Sequence, residues 1–586
     1  MSVSRTWHTD VLIVGGGGAA TAAALSAHGS GARALLAVKG RFGVPGARGA
    51  GATSNPIGDF WTLRSVGPKG GFFNPPDAVH ADMVQAGLGM ADPALCRIYV
   101  DEAPAAIARL REMGMAFQSR MLASMPAHEG NKTNNIVAIQ KAIIEGTGTE
   151  VLEGANLTDL IVEGGACHGA VGVLDDGEPF VVRAGAVVLA TGGVGQLFRH
   201  GFNPPGNTGD GYAMALRAGA ELTNMEFMQQ GLATTWPAQA MIMLYEMEEP
   251  FRLLNSRGRA FLADHLPDGV TLEEVCRAKS AHWPVSCRDV AIHLDRAIKA
   301  EALHGEGASP GAPAPVFLDL SRAERKFLPE LLPPFLKSKG IDVSQDLLQV
   351  QNHHHTSNGG VRIDADGQSR VAGLFAVGEA SAWQGADRLG GTMLGGSQVF
   401  GWRAGAKAAE VARHAGTGTV LAPAIDAALA PLERRRGARG DRTAGELHAE
   451  LRDVMWEALI VEKDAASLAR AREAVGSARE RLHAEVDTRA PADLVAAVEL
   501  GNMLAVGSVI VEAADLRTES RGSHYRSDFP ERDDAAWLAN IVVSRGAGPD
   551  ADGPRGDAAP RLERRWLAEA HGWEDRPGDI RLSPWG

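Results

Sequence analysis

The sequence predicts an α/β chain that opens with a doubly wound parallel sheet, and three observations near its start carry the prediction. Val11-Leu12-Ile13-Val14 is a short continuous apolar run, as expected of a strand buried on both faces. Gly15 to Gly18 follow at once, and Ala19 to Ala27 is alanine-rich and helix-favouring. A second apolar run, Ala34-Leu35-Leu36-Ala37-Val38, arrives about one strand–helix–strand unit later.

The turn between the first strand and the helix is the first candidate site. Gly15, Gly17 and Ala20 fit G-x-G-x-x-G/A. In that pattern the first glycine allows a tight turn, the second lets backbone approach a pyrophosphate, and the small third residue lets helix and strand pack closely. The helix N-terminus then offers free N–H groups and a positive dipole end to phosphate. An unrelated glycine-rich turn is the alternative, and the setting between strand and helix weighs against it. The acidic residue that usually ends the second strand and holds a ribose is missing, since Val38 and Lys39 stand there. Simple NAD binding is therefore not favoured.

Two later segments read as strands of the same sheet. Ala186-Val187-Val188-Leu189-Ala190 runs into Thr191-Gly192-Gly193, and Gly373-Leu374-Phe375-Ala376-Val377 runs into Gly378-Glu379. Ligands of open α/β sheets sit at the carboxyl ends of strands, so these glycines are expected beside a cofactor. The stretch between the two strands reads as an inserted domain. From about Pro431 to Ser544 the pattern turns helical, with helical spacing over Leu447 to Leu459 and Ala465 to Glu485. The tail from Gly546 is rich in Gly, Pro and Asp and is expected to be flexible, with one short helix around Leu562 to Ala570. The expected division is a cofactor domain over 1–230 and 351–425, an inserted substrate domain over 231–350, a helical domain over 426–545 and a tail over 546–586.

Composition narrows the class. The 586 residues are 45% apolar and 22% charged, which is ordinary for a soluble globular protein. A net charge of −13 argues against broad nucleic-acid binding. The four cysteines, Cys96, Cys167, Cys276 and Cys287, form no CxxC pair, so no iron–sulfur or zinc framework and no disulfide scaffold is expected. The polar start is not a signal peptide, and no apolar run is read as reaching the roughly 18 residues of a membrane span. The expected location is the cytoplasm.

Further motifs follow in one order. They are Gly46-Ala47-Arg48-Gly49-Ala50, Asn207-Thr208-Gly209-Asp210-Gly211, Met225-Glu226-Phe227-Met228-Gln229, Ser286-Cys287-Arg288-Asp289-Val290 and His355-Thr356-Ser357-Asn358-Gly359-Gly360. Arg388-Leu389-Gly390-Gly391 and Glu519-Ser520-Arg521-Gly522-Ser523-His524-Tyr525-Arg526 complete the series. Together with the glycine turn, the set resembles the FAD-dependent flavoproteins of the succinate dehydrogenase/fumarate reductase family, which includes L-aspartate oxidase.

The resemblance implies a Rossmann-like FAD-binding domain with an inserted α+β capping domain and a C-terminal helical domain. It implies FAD as cofactor, held by Gly15, Gly17, Gly18, Ala19, Ala20, Lys39, Ala47, Arg48, Gly49, Ala50, Thr191, Gly192, Asp210, Gly378, Glu379, Met393 and Leu394. A helix starting near Thr392 would point its N-terminus at the flavin. Arg288 would match the arginine that moves a proton to or from substrate carbon, while His355 and Arg388 would grip a substrate carboxylate, for which a planar guanidinium is well shaped. Plain alternatives stand beside each role: Arg288 as a helix-end residue paired near Asp289, His355 as a structural histidine, Arg388 as a surface arginine. The run His353-His354-His355 suggests a metal, but adjacent strand residues point to opposite faces, so no metal site is expected.

Departures from the family concern the substrate. The dicarboxylate enzymes carry a histidine where Gly231 stands here, and a threonine–glutamate pair near Met243-Leu244. One end of the pocket is therefore expected to be roomier, more apolar and not suited to plain succinate. The histidine that carries covalent FAD in some members is also missing, near Gly43, so FAD is expected to be non-covalent. Three readings stay open. One is an enzyme acting alone on a small anionic carboxylate. Another is a flavoprotein that passes electrons to a separate iron–sulfur subunit, as in fumarate reductase or, less favoured, adenylylsulfate reductase. The third is a flavin-binding protein that has lost catalysis.

Overall fold

A computed structural model describes residues 5–54, 63–64, 75–120, 123–126, 136–240, 252–309, 311–321, 336–338, 340–342, 344–415, 422–546 and 560–566. The first apolar run forms the centre of a seven-stranded sheet. Its parallel part runs Glu150–Glu153, Ala34–Val38, Arg5–Val14, Pro179–Leu189 and Leu374–Ala376. The hairpin Ala155–Glu163 and Ala166–Leu174 continues it antiparallel from the first half of Pro179–Leu189.

Register explains why these strands are apolar throughout. Leu12 lies between Leu35 and Val187, and Val187 between Leu12 and Leu374. Val11, Leu12, Ile13, Val187 and Val188 are completely buried, because helices cover both faces. Each such side chain contributes about 1.5–3 kcal/mol of burial. The same register brings Val14, Leu189 and Ala376 to one edge, each followed by a glycine-bearing turn. The helix Gly18–Gly29 packs against the long helix Thr392–Ala415 so closely that a Cβ on Gly405 would lie 2.3 Å from the Ala23 carbonyl oxygen.

The inserted region carries its own four-stranded antiparallel sheet of Met228–Trp236, Leu348–Ser357, Val316–Asp319 and Arg252–Leu254. Beyond it, the helices Ala444–Leu459 and Ala465–Ala484 open on capping boxes at Thr443/Glu446 and Asp464/Ser467. The third helix of that group, Pro491–Leu516, corrects an expectation. It is long and apolar enough to cross a membrane by length and composition, and 67% of its most apolar window is buried inside the protein. Its apolar surface is met by neighbouring helices and by Leu197.

A second correction concerns the tail. Residues Arg561–Trp566 form a strand, not the start of a helix, paired antiparallel with Ala539–Ser544. The partner strand supplies the backbone bonds, and Arg565 reaches Glu221 at 2.6 and 2.8 Å. Those contacts override the local helical preference. The rest of the expected helix, through Ala570, and the positions Met243 and Leu244 lie outside the described residues.

Candidate active site

The glycine turn sits where the parallel strands end. Gly15 has φ +127°, and a Cβ there would fall 2.3 Å from the Ala190 carbonyl oxygen, so only glycine closes the turn this tightly. The following helix begins at Gly18 with no side-chain cap and no acidic residue in its first turn. Its N–H groups and dipole are thus left for an anion from outside.

One continuous cleft is lined by this turn and by the ends of the other strands. Gly15, Gly17, Gly18, Ala19 and Gly49 border it, as do Thr191, Gly192, Asp210 and Gly378. Glu379, Met393 and Leu394 also line it. Thr191 Oγ1 and Asn207 Oδ1 are buried on its wall with no hydrogen-bond partner. An uncapped helix N-terminus, a glycine cradle and orphaned polar atoms along one cleft fit an elongated dinucleotide such as FAD. Thr392–Ala415 also begins at this cleft, where Gly390 and Gly391 precede its first turn.

Several expected cofactor residues hold the wall from behind. Ala20 is fully buried under the helix, and Ala47, Arg48 and Ala50 do not line the cleft. Arg48 donates to Asn156 at 2.8 Å and to Glu499 at 2.7 Å. Lys39 lines the cleft, but its ammonium already binds Thr208 and Asp210 at 2.6 Å and Glu499 at 2.8 Å. Glu499 comes from the helix Pro491–Leu516, a link that sequence distance concealed. Glu379 accepts from the Ser357 N–H at 2.9 Å, and burial raises its pKa against that bond.

The same cleft holds His355 and Arg388. Between the pairs Gln229↔Thr356 and Gln230↔His354 the strand register shifts, which leaves His355 as the extra residue of a bulge. Bulges re-aim a side chain, and here the imidazole lies 3.1 Å from Gln229 Oε1 and 3.4 Å from Arg388 Nη2. His353 and His354 turn elsewhere, to the Gln351 carbonyl and to Asn203. Burial, with the Arg388 charge adding to it, drives the His355 pKa well below the usual histidine range, so the ring is neutral.

Arg388 is buried, and its Nε has no hydrogen-bond partner. Among the described residues it makes no ion pair; its remaining contacts are long ones, to His355 and the Leu389 carbonyl. Burial lowers its pKa to about 10, so it remains a cation at neutral pH. The charge of Glu379 offsets that shift from a distance, and a buried cation with no carboxylate in direct contact is costly unless a ligand completes it.

Arg288 is not brought into the cleft's lining. Its guanidinium donates to Asp387 at 3.1 Å and to the Ala86 carbonyl at 3.2 Å, while Ser286 donates to the same Asp387 oxygen at 2.7 Å. Asp387 precedes Arg388 in the chain, so this pair braces the loop that presents Arg388. The geometry supports a positioning role, where the family resemblance implied proton transfer.

Gly231 also changes meaning. The space its missing side chain leaves is filled: a Cβ there would lie 2.2 Å from Trp283 Cζ2. The cleft's end is apolar as expected, but an indole occupies the expected room. Trp283, Phe202 and Gln229 line the cleft and were not singled out from sequence as site residues. The available signal was a tryptophan four residues before the Cys287-Arg288 motif.

Comparison with known proteins agrees with this geometry. A family profile described as FAD binding domain matches residues 10–394, and one described as fumarate reductase flavoprotein C-term matches residues 448–557. A fumarate reductase (CoM/CoB) subunit from Methanothermobacter marburgensis is 31% identical, over 92% of this chain and 98% of that protein. L-aspartate oxidase of Streptomyces coelicolor is 31% identical over 91% of each chain. Among solved structures, Mycobacterium smegmatis Sdh1 in complex with UQ1 superposes with a TM-score of 0.79 at 25% identity, over 96% of this chain and 94% of that one.

Proposed function

The chain belongs to the succinate dehydrogenase/fumarate reductase family of FAD-dependent oxidoreductases, and from that premise we propose that it oxidises or reduces a small carboxylate other than plain succinate. One observation carries the reading. Arg388 is a buried cation whose Nε has no hydrogen-bond partner and which has no carboxylate in direct contact among the described residues, only the more distant charge of Glu379, and it faces the cleft that the glycine turn opens.

Bound FAD supplies hydride exchange at a C–C or C–N bond of the substrate. The protein's residues hold and dry that substrate. Arg388 takes the carboxylate through its planar fork, in a cleft where little water weakens the attraction. His355 is neutral and adds a hydrogen bond and shape, not charge. Gln229 fixes the imidazole, and Asp387 with Arg288 fixes the Arg388 loop. The N-terminus of Thr392–Ala415 brings a positive dipole end to the cleft, which favours negative charge there. FAD is held without a covalent bond, since glycine stands at position 43. All flavin should leave the protein on acid precipitation.

The relatives also support a second arrangement, in which electrons pass to a separate iron–sulfur subunit. The Methanothermobacter protein carries the name of a subunit, while the four cysteines of this chain are free and, apart from Cys276 and Cys287, far apart in sequence. Four unpaired cysteines also suit the cytoplasm.

The test is an anaerobic spectral titration of the FAD-loaded protein with amino acids, dicarboxylates and bulkier carboxylates. Bleaching by one of them identifies an oxidation, and re-admitted air shows whether oxygen is the acceptor. Reoxidation of chemically reduced protein by an unsaturated acid identifies a reductase. If no carboxylate does either, the proposal fails.

A further inference from the structure

Beside the Arg388 and His355 pair the cleft has a built apolar wall. Trp283 is set there by three independent contacts. Its indole N–H donates to the Leu232 carbonyl at 3.1 Å, which uses its one polar atom. Its ring covers Gly231, where no side chain would fit. Its own segment is clamped to the same strand, since Gly231 bridges to Pro284 and the Val285 N–H donates to the Gln230 carbonyl at 2.8 Å. The orientation of the indole is therefore fixed before any ligand arrives.

Two further rings complete the wall. Trp283 meets His355 edge-to-face at 5.0 Å and Phe202 edge-to-face at 5.6 Å, and Phe202 meets His355 at 5.3 Å. Phe202 is held there because the Phe202 N–H donates to the His354 carbonyl at 3.0 Å. Among the described residues, a second carboxylate on a ligand would find no further cation beside this wall. Among the described residues lining the cleft, the only cationic side chains are Arg388 and Lys39, and Lys39 is already neutralised by Asp210 and Glu499.

We infer that the substrate is a monocarboxylate whose other end is a flat apolar group, an aryl or conjugated hydrocarbon, packed on Trp283 and Phe202. The inference rests on the carboxylate-binding reading of Arg388 and adds to it the class of the substrate's second end. Trp283 then determines specificity: it fills the side of the cleft where Gly231 leaves no polar group. A flat group suits the site because rings in edge-to-face and offset contact gain beyond their buried area.

The test compares ligands that share a two-carbon unit and differ only at the far end. Fumarate and succinate carry a second carboxylate; cinnamate and 3-phenylpropanoate carry a phenyl group; propanoate carries only hydrogen. Each is titrated into the FAD-loaded protein, and the flavin spectrum reports occupancy without turnover. Cinnamate should bind at least about tenfold tighter than fumarate, the order expected for burying a phenyl group. Trp283→Ala should lose at least about tenfold of the cinnamate affinity and leave propanoate within about twofold. Trp283→Leu and Phe202→Ala, checked for full flavin content, decide the matter if the alanine variant does not fold. Fumarate binding as tightly as cinnamate, or cinnamate affinity unmoved in the variants, would overturn the inference while leaving the carboxylate grip intact. Failure of every ligand, propanoate included, to perturb the flavin would overturn the grip itself and this inference with it.

Discussion

Two clusters of buried arginine lie in this molecule, and they are finished differently. Beneath the C-terminal signature, Arg517, Glu519, Arg521 and Glu226 are completely buried side chains. Arg517 pairs with Glu226 at 2.8 Å and Glu519 at 2.7 Å and also donates to the Trp537 and Ala539 carbonyls. Arg521 pairs with both Glu519 oxygens, with Asp534 and with the Leu88 carbonyl. Arg388 is almost as deeply buried, yet its Nε has no partner and among the described residues no carboxylate touches it, Glu379 acting only from a distance. Burial carries the same penalty for charge in both places. The closed cluster is answered by the chain's own acids and ties the C-terminal segment to the Glu226 segment. The open one is the site at which the proposed carboxylate would bind.

The largest effect should come from breaking the closed cluster. Glu519→Ala leaves Arg517 and Arg521 without their shared carboxylate, and unfolding in denaturant should show a loss of about 3–5 kcal/mol. A stability change within error would erase the contrast between the clusters. Arg388→Gln should act the other way round. Carboxylate binding, followed by the flavin spectrum, should weaken by about 2–5 kcal/mol, with no loss of thermal stability. A melting loss like that of Glu519→Ala would make Arg388 a structural cation and remove the main support for the proposed function.

A pH series separates the clusters again. Burial lowers His353 to about 4 and His200 and His354 to about 3, and it drives His355 and His524 well below the ordinary range. The unfolded chain takes up these protons near pH 6.5 and the native protein does not. Their contribution to stability is therefore complete above that pH and is lost as pH falls toward the folded values, by about 1.4 kcal/mol per pH unit for each histidine. Carboxylate affinity should stay flat from about pH 6 to 8, because Arg388 remains charged and His355 neutral across that window. A step in affinity near pH 6.5 would show that a protonated histidine shares the grip. The smallest effect belongs to an exposed arginine. Arg472 pairs with Glu512 and Asp515 at 2.7 Å on a surface where both partners are solvated. Arg472→Ala should cost no more than about 1 kcal/mol in the same denaturant experiment.

Much of the cofactor half was legible in the sequence because its signals are local. Val11 to Val14, the glycines behind them and the alanine-rich helix lie within one short stretch, and parallel pairing buries the strands on both faces. The substrate half was legible only in part. His355 and Arg388 stand in short motifs, so each could be named. The bulge that turns His355 toward Gln229 is a register feature of two strands far apart in the chain, and nothing local marks it. The family resemblance of its motif gave Arg288 a proton-transfer role, while its pairing with Asp387, 99 residues away, could not be read from the motif.

The sequence by itself determined the α/β class and the dinucleotide turn, since those depend on near-neighbour spacing and residue chemistry, while His355 and Arg388 were singled out only by the family resemblance of their motifs. The tertiary structure decided what each residue does with its neighbours. It paired Arg288 with Asp387, carried Glu499 from a distant helix to Lys39, drew Arg561–Trp566 into a strand and put the indole of Trp283 over Gly231. A missing side chain reads as space in a sequence, and only packing between distant segments shows what fills it.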